Sequence, residues 1–192
     1  MNHRQEIANA VSMLLPAAVI LYYALETKHT LVWILVVGTM MHLPVSFTYH
    51  LSAACCRYPD RIDHDMRRLD QSLQHVACII FAFATSGSIF YAVATWKFNF
   101  YFIYKLWDPK TTNDGKRFIP INIAVHFYLL PLLWRGDYEN FLIAFESFWM
   151  GGVFFVPWIN AEYFGGWGHC VFHAALAIHS YALAASAQKL VN

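Results

Sequence analysis

The chain has 192 residues, of which 58% are hydrophobic and only 13% charged. Soluble domains carry about a quarter charged residues, so this composition points away from a water-soluble globule and towards a membrane protein. A formal net charge of +1 gives no basic surface for nucleic acid, and spans of roughly 20 residues each use almost the whole length, leaving no room for a second domain.

The first apolar run is expected to form a span over 7–25, kinked at Pro16. It lacks a small-x-small cleavage site before the next polar patch, so no leader is expected. The second span covers 31–54 and the third 69–88. The fourth, 89–107, is the weakest by hydropathy, because Lys97 and Asn99 interrupt it. The fifth covers 118–134, the sixth 141–159, and the seventh 167–187 after the Gly165-Gly166 break. The expected fold class is all-α: one seven-transmembrane-helix bundle over 1–192. Cys55, Cys56, Cys78 and Cys170 form no CxxC pair and are expected to be reduced packing residues. Lipidation of Cys55 or Cys56 is the weaker alternative.

The fourth span decides the topology. With seven spans, one face carries Arg4, Arg57, Arg61, Arg67, Arg68, Lys105, Lys110, Lys116 and Arg117, and the other carries Lys28, Lys97, Arg135 and Lys189. Nine against four orients the chain with its N-terminus in the cytosol or the equivalent compartment. With six spans the split is seven against six and orients nothing.

Three separated motifs carry polar residues at the ends of apolar runs: Ser46-Phe47-Thr48-Tyr49-His50, Arg68-Leu69-Asp70, and His169-Cys170-Val171-Phe172-His173. Ionisable residues at membrane depth are costly, so each is a functional candidate. Seven spans bring all three to one face; six would put His169 on the opposite face, about 30 Å away. Ser46 and His50 share a helix face at i,i+4, as do His169 and His173, with His42 one turn deeper and Ser180 further along. Three imidazoles with an open fourth position suit catalytic zinc, which makes water acidic near neutral pH. Asp70 is the candidate proton acceptor, and Ser46 the candidate donor to that water or the oxyanion.

The plainer readings account for other residues. A lone membrane histidine is ordinarily a hydrogen-bonded packing residue, which is the expectation for His42, His75, His126 and His179. Asp63, His64 and Asp65, among Arg57, Arg61, Arg67 and Arg68, read as a solvated face. Glu146, in the middle of the sixth span, is expected to pair with a buried group such as His126 or to line a cavity. The many aromatics read as lipid-facing or interfacial anchors.

The SxxxH ending the second span, the aspartate opening the third and the HxxxH of the seventh together resemble the CREST superfamily. That group holds the alkaline ceramidases, the progestin and adipoQ receptors and the hemolysin III relatives. The likeness runs from Ser46 to the end of the chain; RLDQS at 68–72 and HCVFHAALAIHSY at 169–181 look most like the receptor and hemolysin III branch. The resemblance implies a seven-helix bundle with an intramembrane Zn2+ held by His50, His169 and His173. It also implies functional roles for Ser46 and Asp70, and a ceramide-type lipid amide as substrate. It suggests the endoplasmic reticulum or Golgi as location. The first segment lacks the acidic cluster that ceramidases share, so no regulatory calcium site is expected. No large N-terminal domain like that of the adiponectin receptors is expected before the spans.

Two other functions compete. Short loops and aromatic excess suit a structural subunit of a larger membrane complex, for instance in the mitochondrial inner membrane, with zinc retained for stability and other membrane subunits as partners. A b-type haem protein is disfavoured, because axial ligands come from opposite sides of the ring whereas these histidines are paired within one helix.

Overall fold

A computed structural model describes residues 3–55, 64–108 and 118–190, and every regular element within them is helical. α1 (His3–Ser12) and α2 (Leu14–Thr27) run end to end as one rod. The break at Met13 has a local cause: Pro16 has no N–H to give the carbonyl of Ser12 four residues earlier. Lys28 ends the rod in the left-handed conformation, its N–H returning to Ala24.

α3 (Thr30–Ala54) contains Pro44, which leaves the carbonyl of Met40 without its helical donor. That loosened turn lies between His42 and Ser46. α4 (Asp65–Ser86) opens on His64, whose Nδ1 accepts from the Met66 N–H at 3.1 Å. It closes at Gly87, where φ of 66° suits glycine. α5 (Ile89–Trp107) follows at once, capped by Ser88 accepting from the Tyr91 N–H.

α6 (Phe118–Trp134) and α7 (Tyr138–Val153) are short. The sixth span, expected to continue to 159, stops at Val153, and a separate helix α8 (Pro157–Phe164) follows. Pro157 cannot donate to the carbonyl of Val153, so the chain breaks there and restarts with proline in its preferred first-turn position. α9 (Gly168–Gln188) completes the chain.

The helices close a ring. The α1–α2 rod packs on α3, α3 on α4, α4 on α6, α6 on α7, α7 on α9, and α9 returns to α2; α5 lies outside against α4 and α6. Small side chains let the rods approach: Ala17, Ala24, Ala82, Ala124, Ala144 and Ala184 are all buried. At Gly151 a Cβ would lie 2.8 Å from that of Ala175, so α7 reaches α9 only because the residue is glycine. Ile20, Leu35, Leu129, Leu132 and Leu183 fill the remaining volume, and Phe90, Tyr22, Tyr104 and Trp134 stand on the outer surface.

Polar side chains find partners between and within the helices. Tyr128 donates to His179 Nε2 at 2.7 Å while His179 Nδ1–H donates to the Ala144 carbonyl at 2.7 Å. His75 donates to Asn99 Oδ1 at 2.8 Å. His126 donates to the Asn122 carbonyl and packs against Phe145 and Trp149. These three are the packing histidines that the sequence suggests. Glu146 departs from expectation: it lies on the exposed side of α7.

The two ends of the ring differ. At one end His3 Nδ1–H donates to the Ala54 carbonyl at 2.8 Å and Gln5 donates to the Gly165 carbonyl at 2.6 Å. At the other, Tyr23 donates to Gln188, Arg135 to Ser186, and Lys189 to Asp137 at 2.7 Å. Burial alone would raise the Asp137 carboxyl, but hydrogen bonds from Lys189, Ser186 and Asn140 outweigh it and hold the group below its usual value.

Three helices are long and apolar enough to cross a membrane: His3–Thr27, Thr30–Ala54 and Gly168–Gln188. Ile119–Trp134 is a shorter apolar helix. α4 carries its polar residues from Asp65 to His75, α5 two lysines, and α7 is only 16 residues long. Of the basic residues that orient the chain by sequence, Arg57, Arg61, Lys110, Lys116 and Arg117 lie outside the described residues, as do Cys56 and Asp63.

Candidate metal centre

His50 lies one turn before the end of α3, and His169 is the second residue of α9 with His173 one turn further on. α3 and α9 bring their site-bearing ends together, and one ring nitrogen from each histidine lies within 4.8 Å of the other two. Ring centroids are 4.7 Å apart for His50 and His169, and 4.6 Å for His169 and His173. Tetrahedral zinc places two nitrogens roughly 3.4 Å apart at ordinary bond lengths, so the cluster needs only small rotations to converge.

α1 stands behind these rings. Glu6, 1% exposed, has Oε2 2.8 Å from His50 Nδ1. Ser12 Oγ lies 2.8 Å from His173 Nδ1. Engaging Nδ1 with an oxygen leaves Nε2 as the coordinating atom and fixes the ring, the usual support of a metal-bound histidine. Asn9, fully buried, accepts from the Cys170 thiol at 3.0 Å, and its carbonyl accepts from Ser12 at 3.1 Å. Three imidazoles with oxygen partners behind two of them are a donor set that fits zinc.

Asp70, 7% exposed, sits near the start of α4. His42 Nε2–H donates to its Oδ1 at 2.8 Å, and Ser46, one turn before His50, lies near the same carboxylate. His50 is near enough to act on it electrostatically. Ser46, His50 and His173 are each buried to within 3% of full enclosure, whereas His169 is half-buried with the Phe155 ring against it. The open side of the cluster is therefore at His169.

All five residues singled out from the motifs thus stand in one neighbourhood. His42 belongs with them: the sequence suggests packing, but its ring is turned onto Asp70. The α1 residues fall outside the motifs because the expected span begins at Ile7 and leaves Gln5 and Glu6 beyond it. A signal was present. Gln5, Glu6, Asn9 and Ser12 recur at spacings of three and four among Ile7, Ala8, Ala10 and Val11, a polar stripe on an otherwise apolar helix. No family model, curated protein or solved structure matches the chain.

Proposed function

We propose that the chain is a seven-span membrane hydrolase that cleaves a lipid amide, with zinc held by His50, His169 and His173. The observation that carries this reading is the convergence of three imidazole nitrogens with Glu6 and Ser12 behind two of the rings. Bound there, zinc supplies Lewis acidity, polarising an acyl carbonyl and making water acidic near neutral pH. The chain's own residues do the rest. Asp70 takes the proton of the attacking water and returns it to the leaving nitrogen, so the amide ends as a carboxylic acid and an amine. His42 holds the carboxylate in orientation through its 2.8 Å hydrogen bond. Ser46 lies near that carboxylate and can turn its hydroxyl to the developing oxyanion. The half-buried edge of His169 admits water and the polar end of the substrate, while the apolar outer surface receives the acyl chain. Ceramide is the reference substrate by resemblance, and the resemblance points to the endoplasmic reticulum or Golgi.

Elemental mass spectrometry of the purified protein tests this reading. About one zinc per chain is expected, lost together with ceramide hydrolysis in His169→Ala. Asp70→Asn should keep zinc and lose turnover; normal turnover in that variant would remove the base assignment. A wild-type protein without zinc would remove the hydrolase reading.

A second reading has its own support. Lys97 and Glu146 stand exposed near the middles of α5 and α7, and neither meets an opposite charge among the described residues. Charges facing lipid are costly, whereas a neighbouring subunit could pair them. On this reading the chain is a subunit of a larger membrane complex, as in the mitochondrial inner membrane. Co-isolation of other subunits in mild detergent, lost on Lys97→Leu or Glu146→Leu, tests it.

A further inference from the structure

Amide hydrolysis as described leaves one cation at the site unused. Arg67 lies in the first turn of α4, one helical turn before Asp70 and on the same face. Its Nη1 donates to the Tyr49 hydroxyl at 3.1 Å, and the Tyr49 ring packs edge-on against His50 with centroids 5.1 Å apart. Through Tyr49 and His50, Arg67 stands next to the histidine cluster, since the His50 and His169 ring centroids are 4.7 Å apart. Its Nε–H is buried and meets no hydrogen-bond acceptor among the described residues. The neighbouring Arg68 has a similarly buried Nε–H, but it pairs its charge with Asp65 at 3.4 Å.

Two considerations define what Arg67 awaits. The first is charge. Glu6 and Asp70 bring two negative charges to the histidine cluster, which a divalent ion balances, so Arg67 is a half-buried cation with no ion pair among the described residues. Such a charge is costly until an anion joins it. The second is shape. A guanidinium offers five donors in a planar fork that matches a carboxylate, and here a buried donor is left over for one.

We propose that Arg67 recognises substrate by binding a carboxylate on the amine side of the scissile amide. The substrate class is then N-acyl amino acids, with the carboxylate one carbon from the nitrogen, in preference to uncharged ceramides. This rests on the hydrolase reading for its scissile bond. The amine side is chosen because the acyl side is a hydrocarbon chain with nothing to offer a cation. A short reach is chosen because Arg67 is one turn from Asp70 and its partner Tyr49 packs on His50.

The test uses the purified full-length chain and a non-hydrolysable ketone analogue of N-palmitoylglycine, with CH2 in place of NH. Its binding is compared with that of its methyl ester and of palmitate, for wild type, Arg67→Gln and Arg67→Lys. Zinc content and thermal midpoint are followed in each. Wild type should prefer the acid to the ester by roughly tenfold or more, the worth of one charge-assisted hydrogen bond. Arg67→Gln should lose that preference with zinc content and midpoint unchanged, and Arg67→Lys should keep part of it. Equal binding of acid and ester by wild type, or a preference that survives in Arg67→Gln, overturns the assignment. Palmitate binding more tightly than the analogue, with the same dependence on Arg67, overturns the substrate class, since Arg67 would then be holding a released fatty acid. Wild type without zinc but with the acid preference intact would end the hydrolase reading while supporting the carboxylate site.

Discussion

On the proposed zinc site, Glu6 is the residue whose removal should separate holding a metal from holding the fold. Its carboxylate is 1% exposed and lies 2.8 Å from His50 Nδ1. A buried carboxylate is expensive unless a positive charge faces it. An imidazole polarised by a divalent ion meets that need; a neutral imidazole meets it poorly. Glu6→Ala should therefore change the stability of the metal-free protein little, because the lost hydrogen bond is offset by the relief of a buried charge. Zinc affinity should fall by about 10–100-fold, the usual effect of deleting an outer partner of a metal-bound histidine. That factor equals about 1.4–2.7 kcal/mol, and the same amount should vanish from the stabilisation that saturating zinc confers. Glu6→Gln keeps an oxygen acceptor and should fall between wild type and alanine. The assay is chelator competition for zinc, paired with thermal unfolding in excess chelator and in excess zinc. Wild-type zinc affinity in Glu6→Ala would refute the argument, as would a large loss of stability in chelator with zinc affinity unchanged.

Two further outcomes follow from geometry away from the rings. A Cβ on Gly168 would run into the carbonyl oxygen of Phe154 and crowd Asn160, whose Oδ1 accepts the Gly168 N–H at 2.8 Å. Gly168→Ala should shift the start of α9, lower both thermal stability and zinc content, and do so more than Ala174→Gly at an exposed position of the same helix; equal behaviour of the two would count against a fixed α9 start. Asp137, with its carboxyl held below the usual value of 3.8, favours the folded state above that value and loses this contribution as pH falls through its lower folded-state value. Unfolding midpoints from pH 6 to pH 2 should fall over that range in wild type, and Asp137→Asn should start lower at pH 6 and fall less steeply; parallel curves would refute the link.

The legibility of the chain follows from how each feature is encoded. The motifs on α3 and α9 were readable because i,i+4 polar pairs stand out in apolar runs, and helical period alone puts both members on one face. Glu6 and His42 were not readable in the same way, because each owes its role to a residue far along the chain: His50 for Glu6, and Asp70 for His42. Helix ends were clearest where glycine or proline fixes the backbone, as at Gly87 and Gly165. The sixth span was drawn too long because its apolar composition continues past Val153, while a single missing N–H at Pro157 ends the helix there.

The contacts of α1 also order events in time. Ser12 meets His173 across 161 residues of chain and Gln5 meets Gly165 across 160. At a synthesis rate of about 5–20 residues per second, α9 follows α1 out of the ribosome by roughly 8–32 s. Through that interval the polar stripe of Gln5, Glu6, Asn9 and Ser12 has none of its α9 partners. The first helix is thus the last to be fully accommodated, and a ribosome stalled before Gly168 would leave a bundle in which Glu6 has met His50 but Asn9 and Ser12 still lack Cys170 and His173.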